Sequence, residues 1–207
     1  MEDTLPRKAR ENLRHREDIL TAAVRLFSQK GFHTVSMQDI AKEAEFGVGT
    51  LYNFFDSKEQ LFLELMRAGI DKVRQALVPI LDSDLRQDRK LSEFIQAHAD
   101  MIESNLEIVR LFISQYGTRS SVKLMLKDVS GDLASVVTEK LEAVIRAGIE
   151  DRVFRPVHAD IAAIALRGAL EAFVLDVSEG FDKAKTKDAL SRVEEFFLTS
   201  LKRDASC

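Results

Sequence analysis

The hydrophobic positions of this chain recur with a helical period along most of its length. Apolar residues at positions 19, 22, 23, 26 and 27 share one helical face, and Gly31 follows where a helix C-cap favours positive φ. A shorter stripe starts at Met37, directly after the N-cap residue Ser36, with Asp39 three residues beyond that cap. The pattern therefore predicts a long first helix followed by a short second one.

The remaining stripes extend this pattern to the end of the chain. Ser57 and Gln60 form a capping-box pattern at the start of a fourth helix, which runs from Lys58 towards Pro79. Five more helices are predicted at Leu91 to Ser104, Leu106 to Tyr116, Ser120 to Ala147, Ala159 to Ser178 and Thr186 to Arg203. With a short third helix after the second, the fold class is all-α with about nine helices.

The third helix comes from the stretch GVGTLYNFF at 47–55, which is unusual in glycine and aromatic content. A long helix, a short helix, a tight turn and another short helix form a helix-turn-helix, whose second short helix lies in the major groove of DNA. Leu51 and Phe55, spaced i and i+4, anchor this helix to the core and leave Thr50, Tyr52 and Asn53 outward. The stretch is therefore a candidate recognition helix.

The outward residue types suit DNA. Hydroxyl groups can contact phosphates, and the amide of Asn53 can reach a base edge. Gly47 and Gly49 allow the start of the helix to approach the DNA backbone closely. The other motif with this spacing, a dinucleotide-binding glycine turn, lacks both a preceding strand and the third glycine.

Composition and charge bear on the kind of partner that the protein binds. The 207 residues are 45% hydrophobic and 31% charged, with a net charge of −4 that argues against nucleic acid at first sight. Five basic residues nevertheless crowd into positions 7–16, and the acidic excess lies beyond Lys58. This N-terminal basic arm is either a phosphate-binding segment or a solvated, frayed terminus, and its composition favours neither.

The motifs in the first quarter of the chain resemble a known family. The segments ILTAAVRLFSQKGF and TVSMQDIAKEAEFGVGTLYNFFDSKEQL resemble the DNA-binding domain of the TetR family of bacterial regulators across residues 16–63. AGIEDRVF at 147–154 is similar to the family's short turn before its penultimate long helix. The resemblance implies a homodimer with an N-terminal three-helix helix-turn-helix domain (1–57) and a C-terminal ligand-binding and dimerisation bundle (58–207), linked by helix four.

The resemblance also assigns roles at matching positions. It implies phosphate contacts for Thr50, Tyr52 and Lys58, and base contacts for Gln38, Val48 and Asn53. The predicted DNA-binding residues are thus Gln38, Val48, Gly49, Thr50, Tyr52, Asn53 and Lys58.

The sequence departs from the family pattern at three positions. Glu45 replaces a glycine usual in the turn, Gly47 replaces a serine that often caps the recognition helix, and Phe54 lacks the hydroxyl of a tyrosine.

The rest of the chain contains apolar helices without recognisable catalytic or metal-binding spacing. The four histidines, at 15, 33, 98 and 158, include no i, i+4 pair, and the one cysteine is Cys207. We therefore expect no enzyme activity, no cofactor and no metal. The absence of a disulfide pair, a signal peptide and an uninterrupted apolar span predicts a cytoplasmic protein without a membrane segment.

Polar residues within the apolar helices mark a possible ligand site. His98 lies on an apolar stripe, where it either lines a cavity or is a satisfied core histidine. Arg167 and Glu171, one turn apart, form either an intrahelical ion pair or an anchor for a ligand or partner. With nearby aromatic residues, the candidate ligand-binding residues are Phe94, His98, Phe112, Tyr116, Arg167, Glu171 and Phe173.

The last two helices are predicted to form the homodimer. Leu190, Val193, Phe197 and Leu201 form a broad apolar stripe on the last helix, with Phe196 beside it. A dimer would present two recognition helices to successive major grooves of a palindromic operator. We expect a transcriptional repressor that binds double-stranded DNA. A small, largely apolar effector is expected to release it from DNA by moving helix four. The alternative is a TetR-fold DNA-binding protein without a small inducer that acts through a protein partner.

Overall fold

The computed structural model describes residues 6–114, 121–177 and 180–202, and within them the side chains outside 114–131 and 177. The described backbone is almost entirely helical, which confirms the all-α prediction. Its helices are α1 (Arg7–Lys30), α2 (Met37–Glu43), α3 (Val48–Phe54), α4 (Lys58–Asp82), α5 (Gln87–Ser104), α6 (Leu106–Ser114), α7 (Ser121–Glu150), α8 (Ala159–Val177) and α9 (Lys183–Leu201).

Several helix ends differ from the predicted ones. Helix α1 begins at Arg7, so the N-terminal basic arm is helical. Helix α4 continues through Pro79 to Asp82, because the proline lies in the last turn of the helix and few hydrogen bonds are lost. Helix α9 begins earlier than predicted, since Asp182 caps it by accepting hydrogen bonds from the N–H groups of residues 184 and 185. The predicted ends at Tyr116, Ser120, Ser178 and Arg203 lie outside the described residues.

Side-chain caps fix the starts of α2 and α4. The predicted capping box of Ser36 and Asp39 is present in full at α2. At α4, Ser57 accepts from the N–H of Gln60 at 3.1 Å, as predicted. The amide of Gln60, however, accepts from the N–H of Asp56 and not from that of Ser57, so the reciprocal half of the predicted box is wrong.

The turn between α2 and α3 is a Schellman motif centred on Glu45. Glu45 has φ of 59°, in the left-handed region. The N–H of Phe46 donates to the carbonyl of Ala41 at 2.8 Å, and that of Glu45 donates to Lys42 at 3.3 Å. The turn thus forms without the glycine that the family pattern has at this position.

Two hydrophobic cores meet along α4. The N-terminal core joins α1, α2 and α3 to the α4 residues from Leu61 to Met66, and it includes Leu111 of α6. The C-terminal core joins the rest of α4 to α5, α7, α8 and α9. Helices α4 and α6 therefore belong to both parts of the molecule.

The predicted dimer stripe on α9 packs mainly within the chain. Helix α9 lies chiefly against α5, and Leu190 and Leu201 are buried in the C-terminal core. Val193 and Phe197 are half-buried against the same core. Leu190 and Leu201 are therefore not available to a second copy, contrary to the prediction, whereas Phe196, beside the stripe, is 67% exposed.

We predict that Glu45→Gly stabilises the protein. A residue with a Cβ pays a steric penalty in the left-handed region, and glycine removes it at some cost in chain entropy, for a net gain of about 0.5–1 kcal/mol. Thermal unfolding should show a higher melting temperature for Glu45→Gly and no change for the control Glu45→Gln, which keeps the Cβ. An unchanged or lower melting temperature for the glycine variant would contradict strain at this turn.

Candidate DNA interface and interior cavity

Helix α3 is held by its apolar face and exposes its polar one. Leu51 and the C-cap residue Phe55 are buried in the N-terminal core, as the i, i+4 spacing predicted. On the opposite side Tyr52 is 50% exposed and Asn53 is also exposed. The helix therefore presents a hydroxyl and an amide to the solvent on one short segment.

The other predicted DNA-binding residues lie around this face with different degrees of exposure. Gln38 on α2 and Gly49 are exposed, and Thr50 is half-buried. Val48 is also half-buried because it packs against the N-terminal core. Only part of its side chain is thus available to a base.

Lys58 joins the start of α4 to the loop after α1. Its Nζ donates to the carbonyls of Phe32 and Val35, both at 2.8 Å, and lies 4.4 Å from the centre of the Phe32 ring. These carbonyls account for a cation at the start of a helix, where the dipole alone disfavours it. Two of the three ammonium donors are therefore used within the protein.

Arg16 makes several contacts within the protein that could not be predicted from the sequence. Its guanidinium forms a bidentate pair with Glu64 of α4 and donates to the carbonyl of Phe54 at 3.3 Å. It also lies 4.7 Å from the centre of the Phe55 ring. One member of the N-terminal basic arm therefore connects α1, the end of α3 and α4.

A cavity of about 590 Å³ lies among α4, α5, α6, α7 and α8. Its wall is apolar except for three described side chains, His98, Arg167 and Glu171. Of the candidate ligand-binding residues, Phe94 and Phe112 also line it, whereas Phe173 packs against the C-terminal core outside the lining. Tyr116 lies outside the described residues.

Much of the cavity wall was not anticipated from the sequence. Gly69 and Ile70 of α4, Ile108 of α6 and Val137 of α7 belong to it. Only the apolar stripes could have pointed to them, and a stripe does not distinguish a cavity wall from a filled core.

His98 is buried, with one ring nitrogen committed to its own helix. Its Nδ1 lies 2.8 Å from the carbonyl of Phe94, which can only accept, so Nδ1 carries the proton. Burial lowers the pKa of His98 from 6.5 to about 4, and the hydrogen bonds to the carbonyls of Phe94 and Ile95 oppose this shift only in part. The ring is therefore neutral near pH 7.

Arg167 forms the predicted ion pair with Glu171, and the pair also lines the cavity. The distance from Nη1 to Oε2 is 2.7 Å, and Nε donates to Oγ1 of Thr138 on α7 at 2.8 Å. The predicted intrahelical ion pair is confirmed. Both of its side chains also line the cavity. Thr138 could not be found by spacing because it comes from another helix.

The helix-turn-helix segment decides the relationship to known proteins, since residues 19–65 match the family described as bacterial regulatory proteins, tetR family. Residues 19–65 are a tetR-family DNA-binding segment. The turn, the recognition helix and most of the N-terminal core lie within the matched residues.

Relatives of this chain match it well beyond the DNA-binding segment. The uncharacterized HTH-type transcriptional regulator YhgD of Bacillus subtilis is 24% identical over 160 residues, which are 76% of this chain and 81% of that protein. The HTH-type transcriptional activator FasR of Mycolicibacterium smegmatis is 29% identical over 170 residues, 80% of this chain and 73% of that one. With its helix-turn-helix segment, the chain is accordingly an HTH-type transcriptional regulator.

A solved structure shares the fold over nearly the whole length. The transcriptional regulator FadR of Bacillus subtilis, in complex with stearoyl-CoA, superposes with a TM-score of 0.69 at 17% identity, covering 89% of this chain and 98% of that one. Within the described part of this chain, no helix is long and apolar enough to span a membrane. The same residues contain no group of three or more His, Cys, Asp or Glu side chains suited to a metal ion.

We predict that His98 makes the protein less stable in mild acid. Because its pKa is lower in the folded state, the unfolded chain binds more protons between the ordinary value of 6.5 and about 4, and stability falls as the pH falls through that range. The free energy of unfolding should be about 1 kcal/mol lower at about pH 5.5 than at about pH 7.5 on account of this residue. Urea denaturation at one protein concentration measures it.

The matched variant is His98→Phe, which keeps a ring in the core. Its free energy of unfolding should change less between the two pH values than that of the wild-type protein. Equal changes in both proteins would show that His98 does not titrate differently in the folded and unfolded states.

Proposed function

We propose that this tetR-family protein is a ligand-responsive repressor that binds a palindromic operator as a homodimer. A small, largely apolar effector in the interior cavity releases it from DNA. The observation that carries the proposal is that α4 and α6 each contribute to the cavity wall and to the core that holds the recognition helix.

The exposed side of α3 supports the DNA-binding half of the proposal. Tyr52 and Asn53 are positioned to meet a phosphate and a base edge, with Thr50 beside them and Gln38 on α2. Lys58 keeps one ammonium donor for a phosphate oxygen after its two bonds to carbonyls. Gly49 has no neighbour within 4 Å of the position of a Cβ, so DNA can approach there.

The cavity supports the effector half. Its volume of about 590 Å³ lies in the range of small-molecule sites, and its mostly apolar wall suits an apolar molecule. The neighbouring FadR fold was solved with stearoyl-CoA, a molecule with a long acyl chain. The alternative, a regulator without an inducer, would be favoured by a filled core.

Helix α6 gives the effector a route to the DNA-binding domain. Its Leu111 is buried in the N-terminal core, while Val109 on the same helix lines the cavity. Gly69 of α4 lies so close to α6 that a Cβ there would be 2.5 Å from Cγ2 of Ile108. An effector that displaces α6 therefore also displaces α4 or the N-terminal core.

The consequence for DNA is a change in the separation of the two recognition helices. Repression is relieved only if the effector binds more tightly to the dimer whose separation does not fit the operator. A coupling of about 1–3 kcal/mol lowers operator affinity roughly 5- to 150-fold.

The dimer interface is proposed on the outer faces of α8 and α9. Ile161 and Ile164 of α8 are 60% and 49% exposed, and Phe196 of α9 is 67% exposed. Large apolar side chains on two neighbouring helices form a surface that association would bury. These residues take the place of the buried Leu190 and Leu201 and keep the proposed interface on the last two helices.

We predict that the α3 face determines operator binding. Against an operator selected from genomic fragments, Asn53→Ala should lose about 1–3 kcal/mol of binding free energy with relaxed base preference. Tyr52→Phe should lose about 1 kcal/mol, because it removes one hydroxyl hydrogen bond. Mobility shifts at two salt concentrations measure both.

Lys185→Ala, an exposed cation on α9, is the control and should leave the affinity unchanged. If Asn53→Ala and Tyr52→Phe bind as the wild-type protein does, α3 is not the recognition element.

We predict that Phe196→Glu weakens the dimer, because it places a charge in an interface that is apolar in the wild-type protein. Sedimentation at about micromolar concentration should show a dimer for the wild-type protein and a larger monomer fraction for the variant. Leu85→Glu, at another exposed apolar residue (39%) between α4 and α5, is the control. A wild-type monomer, or equal monomer fractions in all three proteins, would refute the proposed interface.

A further inference from the structure

The cavity wall includes a ring nitrogen of His98 that has no hydrogen-bond donor among the described residues. His98 is only 6% exposed and lies in the cavity wall. Its Nδ1–H donates to the carbonyl of Phe94, four residues earlier on the same helix. The opposite edge of the ring, with Nε2, therefore points away from the backbone of α5.

Within the described part of the chain, no side chain or backbone N–H donates to Nε2 of His98. The Nδ1–H tautomer leaves the lone pair on Nε2, and the lowered pKa of the ring keeps that nitrogen unprotonated near pH 7. Among the described residues, the hydrogen bonds of the His98 side chain are all made to carbonyls of its own helix. A buried acceptor without a donor is costly, so a ligand that supplies one gains from it.

The other polar residues of the wall oppose an anionic ligand. The cation of Arg167 is already neutralised by Glu171, and its Nε is used by Thr138. A ligand carboxylate near Arg167 would approach the carboxylate of Glu171 and face like-charge repulsion. The three polar side chains thus carry no net positive charge that would attract an anion.

We infer that the effector is an uncharged, largely apolar molecule with a hydroxyl or amide N–H that donates to Nε2 of His98. The inference rests on the proposed function, because it takes the cavity as the effector site. It narrows the effector from any apolar molecule to neutral amphiphiles such as long-chain alcohols, sterols or alkyl amides. An acyl chain with a free carboxylate is a poorer ligand.

The test compares two isomers, 1-decanol and 1-methoxynonane, which have the same atoms but differ in having or lacking a donor. Calorimetric titration at neutral pH gives both dissociation constants for the wild-type protein, His98→Phe and His98→Gln. We expect the ratio of ether to alcohol dissociation constants to be about 3- to 10-fold higher in the wild-type protein than in His98→Phe. His98→Gln, which keeps an acceptor oxygen, should retain part of the preference.

Met101→Leu is the matched control, because Met101 lines the cavity from the same helix without a polar hydrogen-bonding group. It should alter both affinities to a similar extent and leave their ratio unchanged. Decanoate serves as the anionic probe and should bind more weakly than 1-decanol.

The outcomes separate this inference from the proposed function. If both isomers bind with the same ratio in the wild-type protein and in His98→Phe, the cavity binds apolar molecules but His98 does not select among them. A tighter complex with decanoate than with 1-decanol also overturns the inference and leaves the effector site in place. If neither isomer binds the wild-type protein, the effector proposal falls as well.

A second measurement needs no substitution at a buried site. In wild-type protein with ¹⁵N-labelled histidine, donation to Nε2 should shift its resonance when 1-decanol is added, and 1-methoxynonane should leave it near its original position. Binding of both isomers with no shift from either would overturn the assignment even if His98→Phe failed to fold.

Discussion

The packing of α6 against α4 is the constraint on which the rest of this structure depends. At Gly69 the two helices approach so closely that a Cβ would overlap the side chain of Ile108. Because packed interiors do not deform continuously, neither helix can move alone at this point. Leu111, one turn further along α6, lies in the core that supports the recognition helix. A change of cavity shape is thus transmitted by contact, without a flexible linker between the two parts.

The helix-turn-helix could be predicted because its signals are local. The capping pair Ser36 and Asp39, the apolar stripe of α2 and the i, i+4 anchor of α3 are short-range patterns, and the structure contains each of them. The turn formed even though Glu45 lacks the freedom of glycine, since two backbone hydrogen bonds and the packing of α3 outweigh about 1–2 kcal/mol of local strain. Propensity at one position was weaker than its tertiary context.

Interactions between distant residues could not be predicted from the sequence. The helical period places Leu190 and Leu201 on one apolar face of α9, but it does not say whether α5 or a second copy covers that face. Likewise, the sequence left the role of Arg16 open, and the resemblance assigned Lys58 to a phosphate. Their contacts with Glu64 and with the carbonyls of Phe32 and Val35 are visible only in three dimensions. Surface cations can serve the fold and a ligand together, so charge counts near a DNA-binding motif overestimate the phosphate contacts.

The cavity and its buried histidine lower stability in the free protein. An apolar cavity offers its wall fewer packing contacts than a filled core does, and no described residue donates to Nε2 of the neutral His98 ring. A molecule that fills the cavity and donates to that nitrogen supplies both the packing contacts and the hydrogen bond. Its binding free energy therefore stabilises the cavity shape that it fits best. If that shape requires α6 to shift at Ile108, the contacts that stabilise the protein–effector complex also move the N-terminal core. Ligand recognition and release from DNA would then have one physical origin, the close contact between α4 and α6.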